Sequence, residues 1–517
     1  MENKTADSLS LENNSEVQQK NGEVLITVLS TNGREIPVSS EGVDLAYEYA
    51  QKNDNATFDP KIEKQLVRKI DWMVLPLIVG LMACQFLDKT TISYASIMGI
   101  RTDLNMVDGQ MYSWVGSSFY FGYLVFQPPA NRILQKFPIV KTLGVVVILW
   151  GIILCCHSAC RTAPELLVVR VLLGCCEAFM FPAYILLTAQ WYKKDENFLR
   201  SSIYIGFQGL GSIFGSSLSY GLYIRSDEYS IPSWKILFIV TGVITILLGA
   251  ISLIHLPNTA LDAWFLNDEQ KSCAVERIRT SHQGFGNSKF KFSQLKETLL
   301  DIRAYLVFIY AMSYCIPNGG FGNFSSILLS EDFGFSTGDA LLMGMCGGAI
   351  DMLTALIAWV GPMICKSNLI ICLVVNSICL VGTCLLAFSH DRGAKLFGYL
   401  SFYLATVVLA GMSSYNSINF AGTTKKSIIN IFYFVGYCAG NIVGPQTYRS
   451  QQAPQYIGAK VAMVVAFIAG NLSIAALYLM GLRENHKRDK VQASQPTEKN
   501  DFLDLTDKEN INFRYTL

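Results

Sequence analysis

The sequence predicts an all-α polytopic membrane protein, with twelve transmembrane helices in two six-helix halves of similar design. Three observations carry that prediction. Of the 517 residues, 51% are hydrophobic and only 16% charged, which departs from soluble composition toward that of membrane proteins. Apolar stretches near the length needed to cross a bilayer recur about six times. A hydrophilic interval from Pro257 to Arg303 follows, then about six more stretches. Finally, basic residues concentrate in alternate loops, as they do on the inner side of membrane proteins.

Taken in order, residues 1–70 read as a cytoplasmic N-terminal tail. Its first sixty residues are rich in Asn, Glu, Ser and Lys and lack the apolar content for a packed core. Within it, Leu25 to Ser39 fits a hairpin turning at Asn32-Gly33, or a disordered segment. Lys61, Lys64, Arg68 and Lys69 precede the first span and place that end inside. The first apolar run begins only after residue 70, too late for a signal peptide.

Residues 71–257 form the N-terminal bundle, with spans near 72–97, 111–131, 142–160, 165–190, 201–223 and 234–256. A cytoplasmic linker covers 258–303. The C-terminal bundle occupies 304–482, with spans near 304–329, 338–361, 368–389, 397–418, 428–447 and 459–482, and 483–517 is a cytoplasmic tail. Two such halves are the plan of transporters built from repeats. Inside loops carry Arg132, Lys136, Lys141, Lys193, Lys194, Arg200, Lys366, Lys425, Lys426, Arg483, Lys487 and Arg488, and outside loops fewer cations. An even number of spans then puts both termini in the cytoplasm. Gly206, Gly209, Gly211 and Gly215, and later Gly436, Gly440 and Gly444, make small-residue faces. These suit close helix packing or a hinge between the halves.

Several functions are excluded. A net charge of +1 lacks the basic face that nucleic acid needs. Most of the fourteen cysteines sit in apolar runs as small hydrophobes, and no spacing suits a metal. Neither a phosphate-binding glycine loop nor a nucleophile elbow is present, so neither an enzyme nor a cofactor is expected.

Short motifs sharpen this reading. LDKTTISYA (87–95) resembles the first-helix LDRxNIGNA motif of the anion:cation symporter branch of the major facilitator superfamily. PPANRILQKFP (128–138), RVLLGCCEAFMFPA (170–183), QWYKKDE (190–196) and LPNTALDAWFLNDEQ (256–270) are similar to the branch's following motifs. IPNGGFGNFSSILL (316–329) and the run from Thr423 to Tyr456 are close to its fungal members. RTDL (101–104), RIRTSHQGFGN (277–287) and DLTDKENINFRYTL (504–517) resemble the fungal allantoate permease group. The chain departs from the wider family at Thr90-Thr91 and Ser93-Tyr94. The resemblance implies the major facilitator fold and import of a small organic anion with protons across the plasma membrane. Allantoate or ureidosuccinate is the leading substrate. Another carboxylate or sulfonate (nicotinate, pantothenate, a dipeptide) or a non-transporting nutrient sensor is the alternative.

The site residues follow from charge inside the membrane. The stretch from Asp71 to Ala95 carries Asp88 and Lys89 well within it. An ionisable residue there costs roughly 2.5–3.5 kcal/mol on insertion scales, so both must face a protein interior or a water-filled path. The resemblance implies that Lys89 anchors the substrate carboxylate; an ion pair with a neighbouring acid is the other reading. Glu177, in an otherwise apolar helix, needs a partner from another helix, and Lys89 is the natural one. Glu177 and Asp88 are the candidate proton sites, because low dielectric favours the neutral form of a carboxyl. Arg170 fits snorkelling to the outer surface, and Arg132 fits a gate or an inside anchor. Gln85, Gln208 and Asn318 are candidates to hydrogen-bond substrate, with Gln127 and Asn323 behind them. Asn318 leads because Pro317 and two glycines are expected to break helix seven there. Asp351 is a further intramembrane acid without an assigned role. Tyr120, Tyr123 and Tyr184 suit either cavity lining or packing.

Overall fold

A chain in hydrocarbon must satisfy its backbone groups internally, which makes each apolar stretch a helix. The computed structural model describes residues 17–20, 23–29, 35–39, 60–193, 196, 200, 203–281, 291–365, 367–492, 506–509 and 513–516. Among these residues the expected twelve spans are present. Spans one to three are Leu75–Ala95, Met111–Lys136 and Ile139–Cys156. Span four is Ala163–Glu177 with Met180–Trp191, span five is Gln208–Ile224 and span six is Ser233–His255. Spans seven to nine are Ile302–Ile327, Thr337–Ile364 and Asn368–Phe388. Span ten joins Arg392–Ser401 to Ala405–Asn419, span eleven is Thr423–Gln446, and span twelve runs Ile457–Gln492.

Eight helices are long and apolar enough on their own to cross a membrane, or nine if a bent pair counts as one span. Spans two and five fall short, the first in hydropathy and the second in length, and they lie where the halves meet. Span five packs on span eight and span two on span eleven, so their faces carry glycine and serine instead of leucine. A Cβ on Gly209 would meet the Gly348 carbonyl oxygen across this seam. Each half also has its own apolar core, one built on residues such as Trp150, Leu173 and Phe238, the other on Val307, Cys379 and Phe467.

One end of the bundle gathers the termini and the linker. The helix Pro60–Met73 meets the linker helix Asp268–Ser281. There Glu63 lies 2.8 Å from Arg277 and 2.6 Å from Lys193. The second linker helix, Phe292–Leu299, meets the start of span eleven, where Lys425 reaches Glu297 at 2.7 Å and Asp301 at 3.0 Å. Lys425 is therefore a buried ion-pair partner and not a free loop cation. Further along the tail, Asp507 stands 2.8 Å from Lys425 and 2.9 Å from Arg303.

In the N-terminal tail, β2 (Glu23–Leu29) pairs antiparallel with β3 (Glu35–Ser39), Leu29 opposite Glu35. The expected pairing is made, although Asn32-Gly33 itself lies outside the described residues, as do Lys194 and Lys366. β1 (Val17–Lys20) adds a third strand that the sequence reading did not contain.

Candidate functional site

Span four is interrupted at Ala178-Phe179, between its two helices, though both residues keep helical dihedrals, and Glu177 is the last residue before the interruption. Its carboxylate is fully buried, and Lys89 Nζ approaches from span one to 3.7 Å. The pairing expected between these residues is made as an ion pair, longer than a hydrogen bond. Both Glu177 oxygens are without a hydrogen-bond partner. The Lys89 side chain stays 28% exposed, and its ammonium lies 5.9 Å from the Phe119 ring centroid. Gln85, one turn earlier on the same helix, sits beside the Glu177 carboxyl.

Asp88 points the other way, into the N-terminal core. It is fully buried, both oxygens lack a hydrogen-bond partner, and it faces the charges of Arg170 and Glu177 and the indole of Trp150. Arg170 corrects an expectation. It lies in mid-helix, 3% exposed, with Nε and Nη2 unpartnered, so it does not snorkel. A buried cation is tolerated there because two acids share its surroundings.

From the C-terminal half, Asn318 Nδ2 donates to Asn441 Oδ1 at 3.1 Å. The expected break at Pro317 is absent. Span seven runs unbroken through it, and the glycines that follow serve packing. A Cβ on Gly319 would lie 2.7 Å from the Asn441 Cα of span eleven. Asn441 and Tyr437 are partners that the sequence reading missed. Their signal was the glycine spacing of span eleven, which marks a packing face without naming the polar residues at its edge. The Tyr437 ring meets Tyr120 edge-on at 6.1 Å and Tyr123 tilted at 6.4 Å. These aromatics thus bridge spans two and eleven, whereas Tyr184 packs beside Tyr204 inside the N-terminal half. Gln208 is half-buried at the start of span five, next to the Gly209 contact. Arg132 lies apart from the cluster, exposed, and bonds Gln135 of its own helix at 3.4 Å. Gln127 leaves its amide oxygen buried and unpartnered, while Asn323 Nδ2 donates to the Gly319 carbonyl at 2.7 Å.

At the end of the bundle away from the termini, the halves are stitched together. Ser93 Oγ donates to Ser326 Oγ at 3.1 Å, and the Tyr112 hydroxyl donates to the Asn323 carbonyl at 2.7 Å. Ser117 donates to the Ile442 carbonyl at 2.7 Å, and Arg101 pairs with Glu331 at 2.7 Å. Lys89 lies one turn before Ser93, on the tail-bearing side of this seam.

A sequence profile described as Major Facilitator Superfamily matches residues 78–445. The chain belongs to that superfamily. It is 39% identical to an allantoate permease of Saccharomyces cerevisiae over 536 aligned residues, covering 100% of this chain and 98% of the relative. An uncharacterized transporter of Schizosaccharomyces pombe is 42% identical, with 93% and 94% covered. A thiamine pathway transporter of S. cerevisiae is 33% identical, with 99% and 96% covered. Among solved structures, a bacterial homolog of the human lysosomal transporter Spinster, inward-facing and occupied, gives a TM-score of 0.57 at 13% identity. It covers 78% of this chain and 96% of that one, a likeness of fold. The protein is accordingly a multi-pass membrane transporter of the major facilitator type and not an enzyme.

For such a transporter the arrangement is chemically simple. A partly exposed ammonium with three donors lies where the halves meet, and a buried carboxyl is its ion-pair partner. An incoming carboxylate can take the place of Glu177 as the partner of Lys89, provided Glu177 gives up its charge.

Proposed function

We propose that the protein imports a small organic anion, allantoate or ureidosuccinate or a similar carboxylate, across the plasma membrane by proton symport. The observation that carries this reading is the Lys89–Glu177 pair, one partner open to solvent and the other buried. Protonation of Glu177 frees Lys89 to bind the substrate carboxylate, and deprotonation restores the pair and releases the anion. Coupling to protons is a physical need. An inside-negative potential opposes anion entry by about 2.3 kcal/mol per charge per 100 mV, and a cotransported proton offsets that.

In this reading residues 1–70, 258–303 and 483–517 lie in the cytoplasm, and the stitched seam is the outer gate. Arg132 belongs to the inner gate, exposed while that gate stands open. Asp88 is a second proton site, sharing the field of Arg170. Gln85, Gln208 and Asn318 are assigned to hydrogen bonds with the substrate's polar groups.

The test is uptake of labelled allantoate into yeast cells lacking their own permease, over an acidic to neutral external pH series, for wild type and Lys89→Ala. Uptake that rises in acid and vanishes in the variant supports the reading. Uptake indifferent to both pH and Lys89 overturns it. A surface-localised protein without uptake removes allantoate, and a panel of other carboxylates follows.

A further inference from the structure

One buried acid is left unused by this cycle. Asp351, in span eight of the C-terminal half, is 1% exposed. Its Oδ1 accepts a hydrogen bond from the Thr406 hydroxyl of span ten at 2.8 Å. Among the described residues no Lys, Arg or His comes within ion-pair distance of it, and no charged group shares its electrostatic surroundings. The titratable neighbours facing it are two phenols, Tyr314 of span seven and Tyr403 of span ten. An ionised carboxylate isolated in this way inside a membrane is costly. Asp88 and Glu177 have cations beside them; among the described residues Asp351 has none. The group is therefore stable there when it carries a proton.

Most of a route toward it is present. Gly347 lies one turn before Asp351, and the Tyr403 ring packs in the space that its missing side chain leaves. The Tyr403 hydroxyl is 3.5 Å from that of Tyr399. Tyr399 in turn faces Ser325, whose hydroxyl is 3.1 Å from Ser93 in the stitched seam. Hydroxyls thus run from the seam between the halves toward the carboxyl.

We propose that Asp351 is a further proton-binding carboxyl of the transport cycle, placed in the C-terminal half where Glu177 and Asp88 are in the N-terminal one, and loaded through the Ser93–Ser325–Tyr399–Tyr403 hydroxyls when the seam opens. This rests on the proton-symport reading above. In each transfer a hydroxyl accepts one proton on its oxygen and passes its own onward, the last going to a carboxylate oxygen of Asp351, so no co-reactant is needed. A carboxyl in the C-terminal half adds one proton per anion to those bound in the N-terminal half, which moves entry toward one that the membrane potential drives.

The experiment uses the purified full-length protein. Infrared difference spectra across a pH titration, wild type against Asp351→Asn, should show a protonated-carboxyl C=O band at neutral pH that the variant lacks and Glu177→Gln retains. A band indifferent to Asp351 overturns the proposal, whatever the substrate proves to be. In proteoliposomes with labelled allantoate, Asp351→Asn should keep counterflow exchange while the protons carried per anion fall by one, and Asp351→Glu should restore the ratio. An unchanged ratio, or a requirement for sodium in place of protons, overturns it. Should Asp351→Asn be inactive, Thr406→Val decides: a shifted pH of half-maximal exchange supports the proposal and an unchanged one overturns it. Wild-type protein that moves allantoate without protons would refute the symport reading itself, which the infrared band distinguishes.

Discussion

At the scale of single residues, the N-terminal half holds two acids and two bases in one buried neighbourhood, and their exposures separate their roles. Lys89 is the member that solvent reaches. In the proposed cycle Glu177→Gln mimics the protonated carboxyl, so counterflow of allantoate should survive while accumulation against a gradient is lost, read by proteoliposome exchange beside pH-driven uptake. Asp88 and Arg170 face one another's charge inside the core. Removing only one of them strands the other, at a cost of roughly 3–5 kcal/mol. Arg170→Met should therefore lower the melting temperature of the purified protein sharply. The double variant with Asp88→Asn should recover about 1–3 kcal/mol of that loss, and a simple sum of the two single effects would show that the charges do not interact.

At the scale of elements, the contact between spans seven and eleven is an extensive one and the least readable beforehand. Pro317 removes a backbone donor and ordinarily kinks a helix, which is why a break was expected at PNGG. Neighbouring helices in a membrane can absorb that defect, and here Gly319, Gly440 and Gly444 bring span eleven's backbone against span seven. Gly319→Val would press a side chain onto Asn441, so a loss of about 1–3 kcal/mol from overpacking is expected, together with loss of the Asn318–Asn441 bond. Thermal unfolding and allantoate exchange would show both effects, and a variant with wild-type melting would refute the packing role. The spans themselves were legible because apolar length survives any packing. Lys89 and Glu177 were legible because charge within an apolar run is conspicuous. Arg170, Asn441 and the serines of the seam were not. Which face of a helix a residue occupies, and what meets it there, depends on partners far away in the chain.

At the scale of the whole molecule, each half carries its own fittings on the tail-bearing end. The helix Pro60–Met73 and the first linker helix are ion-paired around Glu63 on the N-terminal half. The second linker helix and the C-terminal tail close over the C-terminal half. Asn485 bonds Tyr515 in both directions, Asn419 bonds Thr516 likewise, and Arg488 donates to the Phe513 and Asp507 carbonyls. Spans seven, ten, eleven and twelve are thus tied by a single strap, and two stiff halves can rock about the site without rebuilding these contacts. Beneath the strap, Asp301 is held down to about 2 by Arg303 and Lys425, against the opposing effect of burial. Because its folded value lies below the unfolded value of about 3.9, the unfolded chain binds the extra proton in acid. The stabilisation is complete above the unfolded value and is lost as pH falls through about 4 toward 2. Asp301→Asn should therefore lower the melting temperature at neutral pH and flatten its acid limb, whereas Asp507→Asn should cost roughly 1–3 kcal/mol by leaving Lys425 and Arg303 each short of a partner. Deleting residues 513–517 should lower stability in the same direction while the affinity for allantoate stays unchanged. A deletion that altered affinity and left the melting temperature where it was would show the tail acting on the site and not as a strap.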